Sequence, residues 1–155
     1  MFDLRRRSRG FSLIELLIVI AIILIIITVA LPRLSKAKMF AMETAAISAI
    51  RTIHTAQVEY SSQYGKFAAS LAELGPPASG AESPAAAGMI EKDLASGEKQ
   101  GYKFTMTGNV GGYQINAQPI AFGTTGSRTF FSDQTMVVHQ NYGPEPATAS
   151  SPELK

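Results

Sequence analysis

The sequence predicts an α+β protein in which one long N-terminal helix packs on a small antiparallel sheet of three or four strands. Three observations lead there. Phe11 to Leu31 is an almost unbroken apolar run. Apolar residues then recur at helical spacing as far as Tyr64. Beyond Gly101 the pattern changes to strict alternation, the period of a half-buried strand.

The apolar run is about 21 residues long, roughly 31 Å at 1.5 Å per residue, which matches the hydrocarbon thickness of a bilayer. A secretory signal has a shorter apolar stretch followed by a small-residue cleavage site, and no such site follows here. Residues 11–31 therefore read as a transmembrane or assembly helix. Pro32 lacks a backbone N–H and is expected to kink this helix without ending it. The helical spacing resumes with Met39, Met42, Ala46, Ile50, Ile53, Tyr60 and Tyr64, while Glu43, Arg51, Gln57 and Glu59 fill the other faces. One helix from Phe11 to a stop at Gly65 would span roughly 80 Å. Its first half is too long for a small domain and must lie in lipid or among other helices.

Ser70–Gly75 reads as a short helical turn. Residues 76–101 are rich in Pro, Ala, Gly and Ser and read as a long connecting loop, with a helical turn around Met89–Leu94. Such a loop is either a contact surface or simple slack. Tyr102–Thr107 and Tyr113–Gln118 alternate around the turn Gly108–Gly112, so they form a hairpin. Arg128–Phe131 and Thr135–His139 are two further short strands flanking Ser132-Asp133-Gln134. The globular domain is thus expected over 32–143, with a frayed Pro- and Ser-rich tail over 144–155.

Charge is unevenly placed. Four arginines against Asp3 give residues 1–10 a net +3, and the ten basic and eleven acidic residues elsewhere leave −1. Without the leader the chain is not basic, so the electrostatic footprint of a nucleic-acid binder is missing. There is no cysteine, which excludes disulfides and thiolate metal sites. His54 and His139 are the only histidines; neither lies in a ligand cluster, and each is expected to be structural or at the surface. No nucleophile motif, phosphate-cradling loop or H-E-x-x-H is present, and Gly108–Gly112 sits between strands rather than before a helix. The expectation is a protein that is not an enzyme and holds no cofactor.

Glu15 stands inside the apolar run, and an ionisable side chain there is a functional hypothesis by default. Its natural partner is a cation at similar depth. Cleavage after Gly10, where a basic leader meets the apolar run, would create one at the amino terminus of Phe11.

Gly10-Phe11-Ser12-Leu13-Ile14-Glu15, after an arginine-rich leader and before an apolar helix ending at Pro32, resembles the prepilin cleavage motif of type IV pilins and of the pseudopilins of type II secretion. The resemblance implies that residues 1–10 are a leader removed by a prepilin peptidase after Gly10. It also implies that Phe11 becomes the N-methylated first residue and that Glu15 serves subunit assembly. The implied partners are that peptidase, other copies of the chain, minor pilins, an inner-membrane assembly platform and lipid. The implied location is the bacterial inner membrane, single-pass, with the leader in the cytoplasm and the C-terminal domain in the periplasm, before assembly into a pilus or pseudopilus. Arg33, Lys36 and Lys38 follow the run, so charge alone does not settle orientation. Major pseudopilins carry calcium in their C-terminal loops, but Asp133 is the only acidic residue between Gly101 and Gly143, so no metal is expected. Pilins often close this region with a disulfide, which this chain lacks. Pilin and pseudopilin both remain open, as does a monomeric single-pass anchor with a binding domain.

Overall fold

The computed structural model describes residues 10–155; residues 1–9 of the expected leader lie outside the described residues. Helix α1 runs over Leu13–Tyr64, 52 residues, with Pro32 inside it. It begins two residues later than the apolar run because Ser12 caps it. It ends as expected at Gly65, whose φ of 69° is the left-handed conformation of a helix stop and whose N–H donates to the Ser61 carbonyl at 2.9 Å. The chain divides into two compact units, residues 1–36 and 37–155. Every described residue of the first unit is exposed, which fits a helix whose solvent is lipid or other helices.

The second unit contains α2 (Leu71–Leu74), α3 (Lys92–Ala95) and the strands β1 (Glu98–Lys99), β2 (Tyr102–Asn109), β3 (Gly112–Pro119), β4 (Thr129–Asp133) and β5 (Val138–Asn141). The strands form one sheet in sequence order, antiparallel throughout. Three or four strands were expected and five are present. The unexpected one, β1, is only two residues long, too short to display an alternation.

Alternation fixes the core. Tyr102, Phe104 and Met106 of β2 are buried, as are Tyr113, Ile115 and Ala117 of β3. They join Ile50, Ile53, Ala56 and Tyr60 of α1 in one apolar cluster. Gly108 lets β2 pass close to residues 68–69: a Cβ there would overlap the Ala68 carbonyl, and its N–H donates to Ala69 at 3.1 Å. Two polar residues of α1 depart from expectation. Glu43 and Gln57, expected outside, are buried. Gln57 donates to the Ala68 carbonyl at 3.0 Å and accepts the Ala68 N–H at 2.9 Å, so its amide is satisfied like a backbone group.

The last two strands also differ from the expected ones. β4 extends to Asp133, and β5 starts at Val138 rather than Thr135. The reason is a tight turn: the Asp133 carboxylate accepts the N–H and hydroxyl of Thr135 at 2.9 and 2.6 Å, and Met136 follows with a φ of 63°. The loop after α2 is neither slack nor wholly surface, since Ala87, Ile90 and Leu94 are buried in the core. Its backbone returns to α2, with Met89 donating to the Leu74 carbonyl at 2.8 Å.

The expected frayed tail is instead folded. Leu154 donates to the Val138 carbonyl at 2.8 Å and Gln140 to the Pro152 carbonyl at 2.9 Å, so residues 152–154 cover the free edge of β5. Ala147 is buried, and the Glu145 carbonyl accepts the Thr129 hydroxyl at 2.7 Å. Pro and Ser exclude a regular strand but not a pinned irregular segment.

Candidate functional site

The N-terminal motif is built at the start of α1. Ser12 is the cap residue, and the Glu15 carboxylate three residues on accepts the Ser12 N–H at 2.9 Å. This is one half of a capping box. The Ser12 carbonyl accepts Leu16 N–H at 3.2 Å, the first helical bond. A carboxylate in the first turn also faces the positive end of the helix dipole. Glu15 is therefore partnered within the single chain, and its anchor is one residue from the Phe11 nitrogen. Phe11 is 80% exposed. Gly10 is exposed as well, and a Cβ placed on it meets no described atom within 4 Å. Nothing in the described chain requires glycine there.

Pro32, the expected kink, lies within a helix that continues on both sides. The Thr28 and Ser35 hydroxyls, one turn to either side, donate to the carbonyls of Ile25 at 2.8 Å and Leu31 at 3.2 Å. This suits polar side chains in an apolar surrounding, since each hydroxyl satisfies itself locally.

Two polar clusters of the globular unit escaped the sequence reading. In the first, Glu43 accepts the N–H and hydroxyl of Ser127 at 2.7 and 2.9 Å and Arg128 Nε at 2.8 Å. Arg128 Nη2 completes the pair at 2.7 Å, with little of either side chain exposed. Arg128 also donates to Gln140 at 2.9 Å and lies over the rings of Phe130 and Tyr142. Burial alone would raise the Glu43 carboxyl, but the Ser127 backbone, Arg128 and the Ser127 hydroxyl together hold it below its ordinary value. The signal was present in the sequence. Glu43, Ala46, Ile50, Ile53, Gln57 and Tyr60 follow one another at steps of three and four, so both polar residues occupy the buried stripe.

In the second cluster, His54 is 5% exposed, with Nδ1 2.7 Å from the Tyr113 hydroxyl and Nε2 2.8 Å from Ser132 Oγ. A serine beside a histidine is the pattern of an activated nucleophile. Ser132, however, is fully buried, and its hydroxyl donates to the Val137 carbonyl at 2.7 Å. This pair is a hydrogen-bonded link between helix and sheet. His139, the other histidine, donates from Nδ1 to the Ser151 carbonyl at 2.7 Å and so holds the tail. The Asp133 carboxylate is engaged by Thr135, whose hydroxyl is the main reason its pKa is lowered.

Residues 5–31 match the family described as the prokaryotic N-terminal methylation motif. This is the prepilin-type motif of type IV pilins and pseudopilins. Comparison with curated proteins and with solved structures returned no match. The motif, the long apolar helix and the antiparallel sheet define a pilin-like α+β protein. The motif points to a structural subunit rather than an enzyme. Together with the exposed apolar half of α1 it fits an inner-membrane-anchored protein.

Proposed function

We propose that this chain is a structural subunit of a type IV pilus or pilus-like filament, cut by a prepilin peptidase after Gly10, methylated at Phe11 and polymerised from the inner membrane. The single observation that carries the reading is the motif over residues 5–31, a range that includes Gly10 and Phe11, where the basic leader meets the apolar run. Three features support it. Glycine at position 10 has no partner in the described chain that would exclude a side chain. Phe11 stands clear of the fold. The apolar half of α1 is exposed along its length and needs lipid first and other helices later.

Glu15 then has two successive roles. In the lone subunit it caps its own helix, which lowers the cost of holding a carboxylate at the membrane border. After cleavage the new amino group of Phe11 is the cation it meets, and in the filament a neighbour's amino group is placed against it. Pairing removes the cost of an isolated charge in an apolar core, several kcal/mol, and so favours a correctly staggered neighbour. The partners are other copies of the chain, minor pilins and the inner-membrane platform. The leader stays in the cytoplasm and the domain faces the periplasm.

Mass spectrometry of protein recovered from cells tests the reading. Phe11 should be the first residue and N-methylated, and Gly10→Val should retain the leader. Intact Met1 on assembled protein would defeat it.

A further inference from the structure

We propose that His54 is an acid-sensitive pin between the second half of α1 and strands β3 and β4, its bond from the Tyr113 hydroxyl of β3 requiring a neutral imidazole. The hydrogen bonds assign the ring proton. Ser132 Oγ lies 2.7 Å from the Val137 carbonyl, which can only accept, so the one hydroxyl hydrogen points there. The Ser132 oxygen therefore faces His54 as an acceptor, and Nε2 carries the proton. Nδ1 is left bare and accepts the Tyr113 hydroxyl at 2.7 Å. Burial, and then Asp133, push the Tyr113 pKa up to about 12, so this hydroxyl keeps its hydrogen. With a neutral ring, every polar atom of the chain His54–Ser132–Val137–Tyr113 is satisfied.

A second ring proton breaks the pattern. Nδ1 becomes a donor aimed at Tyr113, whose hydrogen must turn away. Among the described residues the Tyr113 hydroxyl makes no other hydrogen bond, and a buried donor left unpaired is costly. The charged groups around the ring do not compensate. On β4, Asp133 favours the cation, but its carboxylate is already taken by Thr135. On α1, Arg51 and Glu59 carry opposite signs. β3 offers only Tyr113, and the β4–β5 turn only the uncharged Met136. Burial outweighs Asp133 and holds the His54 pKa below its ordinary value. Protons nevertheless have a route, because His54 lines an open groove of about 800 Å³ between α1 and Met136.

The sign follows. A histidine whose folded pKa lies below its unfolded value of 6.5 contributes stability fully present above that value. The contribution is lost as pH falls below it, because the open state binds the proton. Within that window the ratio of closed to open protein falls by up to about tenfold per pH unit.

The test uses the full chain in detergent micelles, with tyrosine near-ultraviolet dichroism followed through chemical denaturation at about pH 7.5 and about pH 5, on either side of an ordinary histidine pKa. Wild type should lose more stability on acidification than His54→Gln, whose amide does not titrate. His139→Gln should keep the wild-type loss. Equal losses in wild type and His54→Gln would overturn the proposal, as would abolition of the effect by His139→Gln. Should His54→Gln fail to fold, ring NMR of wild type decides. A neutral Nε2–H tautomer at about pH 7.5 upholds the pin, and an Nδ1–H or cationic ring there overturns it.

Discussion

At the scale of single residues, Glu43 and Arg128 show how a charge sits inside a small domain. The carboxylate takes three donated hydrogen bonds, two from Ser127 and one from Arg128, with Arg128 Nη2 in ion-pair contact beside them, so its hydration is replaced rather than simply lost. Removing one partner leaves the other buried and unpaired. Glu43→Ala should destabilise the globular unit by about 3–5 kcal/mol, and Glu43→Gln by less, because an amide oxygen still accepts from Ser127. Denaturant midpoints of the full chain in detergent check this; a loss for Glu43→Ala as small as that of an exposed pair would show that the cluster adds nothing. The lowered Glu43 pKa also has a pH consequence. Its contribution is complete above the unfolded value and is lost as pH falls through the lower folded value. This acid loss sets in below the ordinary carboxylate value of 4.5, whereas the His54 loss sets in below 6.5.

At the scale of elements, the C-terminal segment is the edge protection of the sheet. β5 would otherwise present unpaired N–H and C=O groups to a neighbouring chain. Residues 152–154 cover them, and His139, Thr129 and Asn141 hold the segment at Ser151 and Glu145. Deleting residues 144–155 should cost about 2–4 kcal/mol, from lost hydrogen bonds to buried groups and the lost packing of Ala147 and Leu154. It should also produce concentration-dependent association through the bare edge. A truncated chain with an unchanged denaturation midpoint and no association would show that the segment is an ornament of the fold. The elements also show where sequence patterns serve well. Two eight-residue strands with strict alternation were legible, and so was α1, because long periodic segments repeat their signal many times. β1 and the limits of β4 and β5 were not. Their two to five residues carry little periodicity, and the side chains of the Asp133–Met136 turn decide their ends.

At the scale of the whole molecule, Glu15 distinguishes an anchor from an assembly subunit. Glu15→Leu removes a costly charge, so it should enter the membrane at least as well as wild type. It also removes the Ser12 cap, which frays only the first turn. On the proposed reading cleavage should persist, since the peptidase's main demand would fall on Gly10. If Glu15 serves assembly as proposed, filament yield should fall sharply, because the Phe11 amino group of each neighbour would lose its counter-charge in an apolar core. Glu15→Asp should be intermediate, the charge kept but displaced by about one methylene. Membrane fractionation and electron microscopy of sheared filaments read the two effects separately. Normal filaments from a processed Glu15→Leu chain would make the monomeric anchor the better account.

The apolar helix, its stop at Gly65, the central hairpin and the N-terminal motif over residues 5–31 were all legible in the sequence alone. Each is a local or strictly periodic property, written in neighbouring residues and readable without knowing what they touch. Only the tertiary structure decided that Glu43 and Gln57 point inward, that His54 links α1 to two strands, and that the tail is pinned. A polar residue in a buried stripe is stable only where a partner from a distant segment meets it. Those partners, Ser127 and Arg128 for Glu43 and Tyr113 and Ser132 for His54, lie far along the chain. Their approach is set by packing of the sheet on the helix, which no local pattern records.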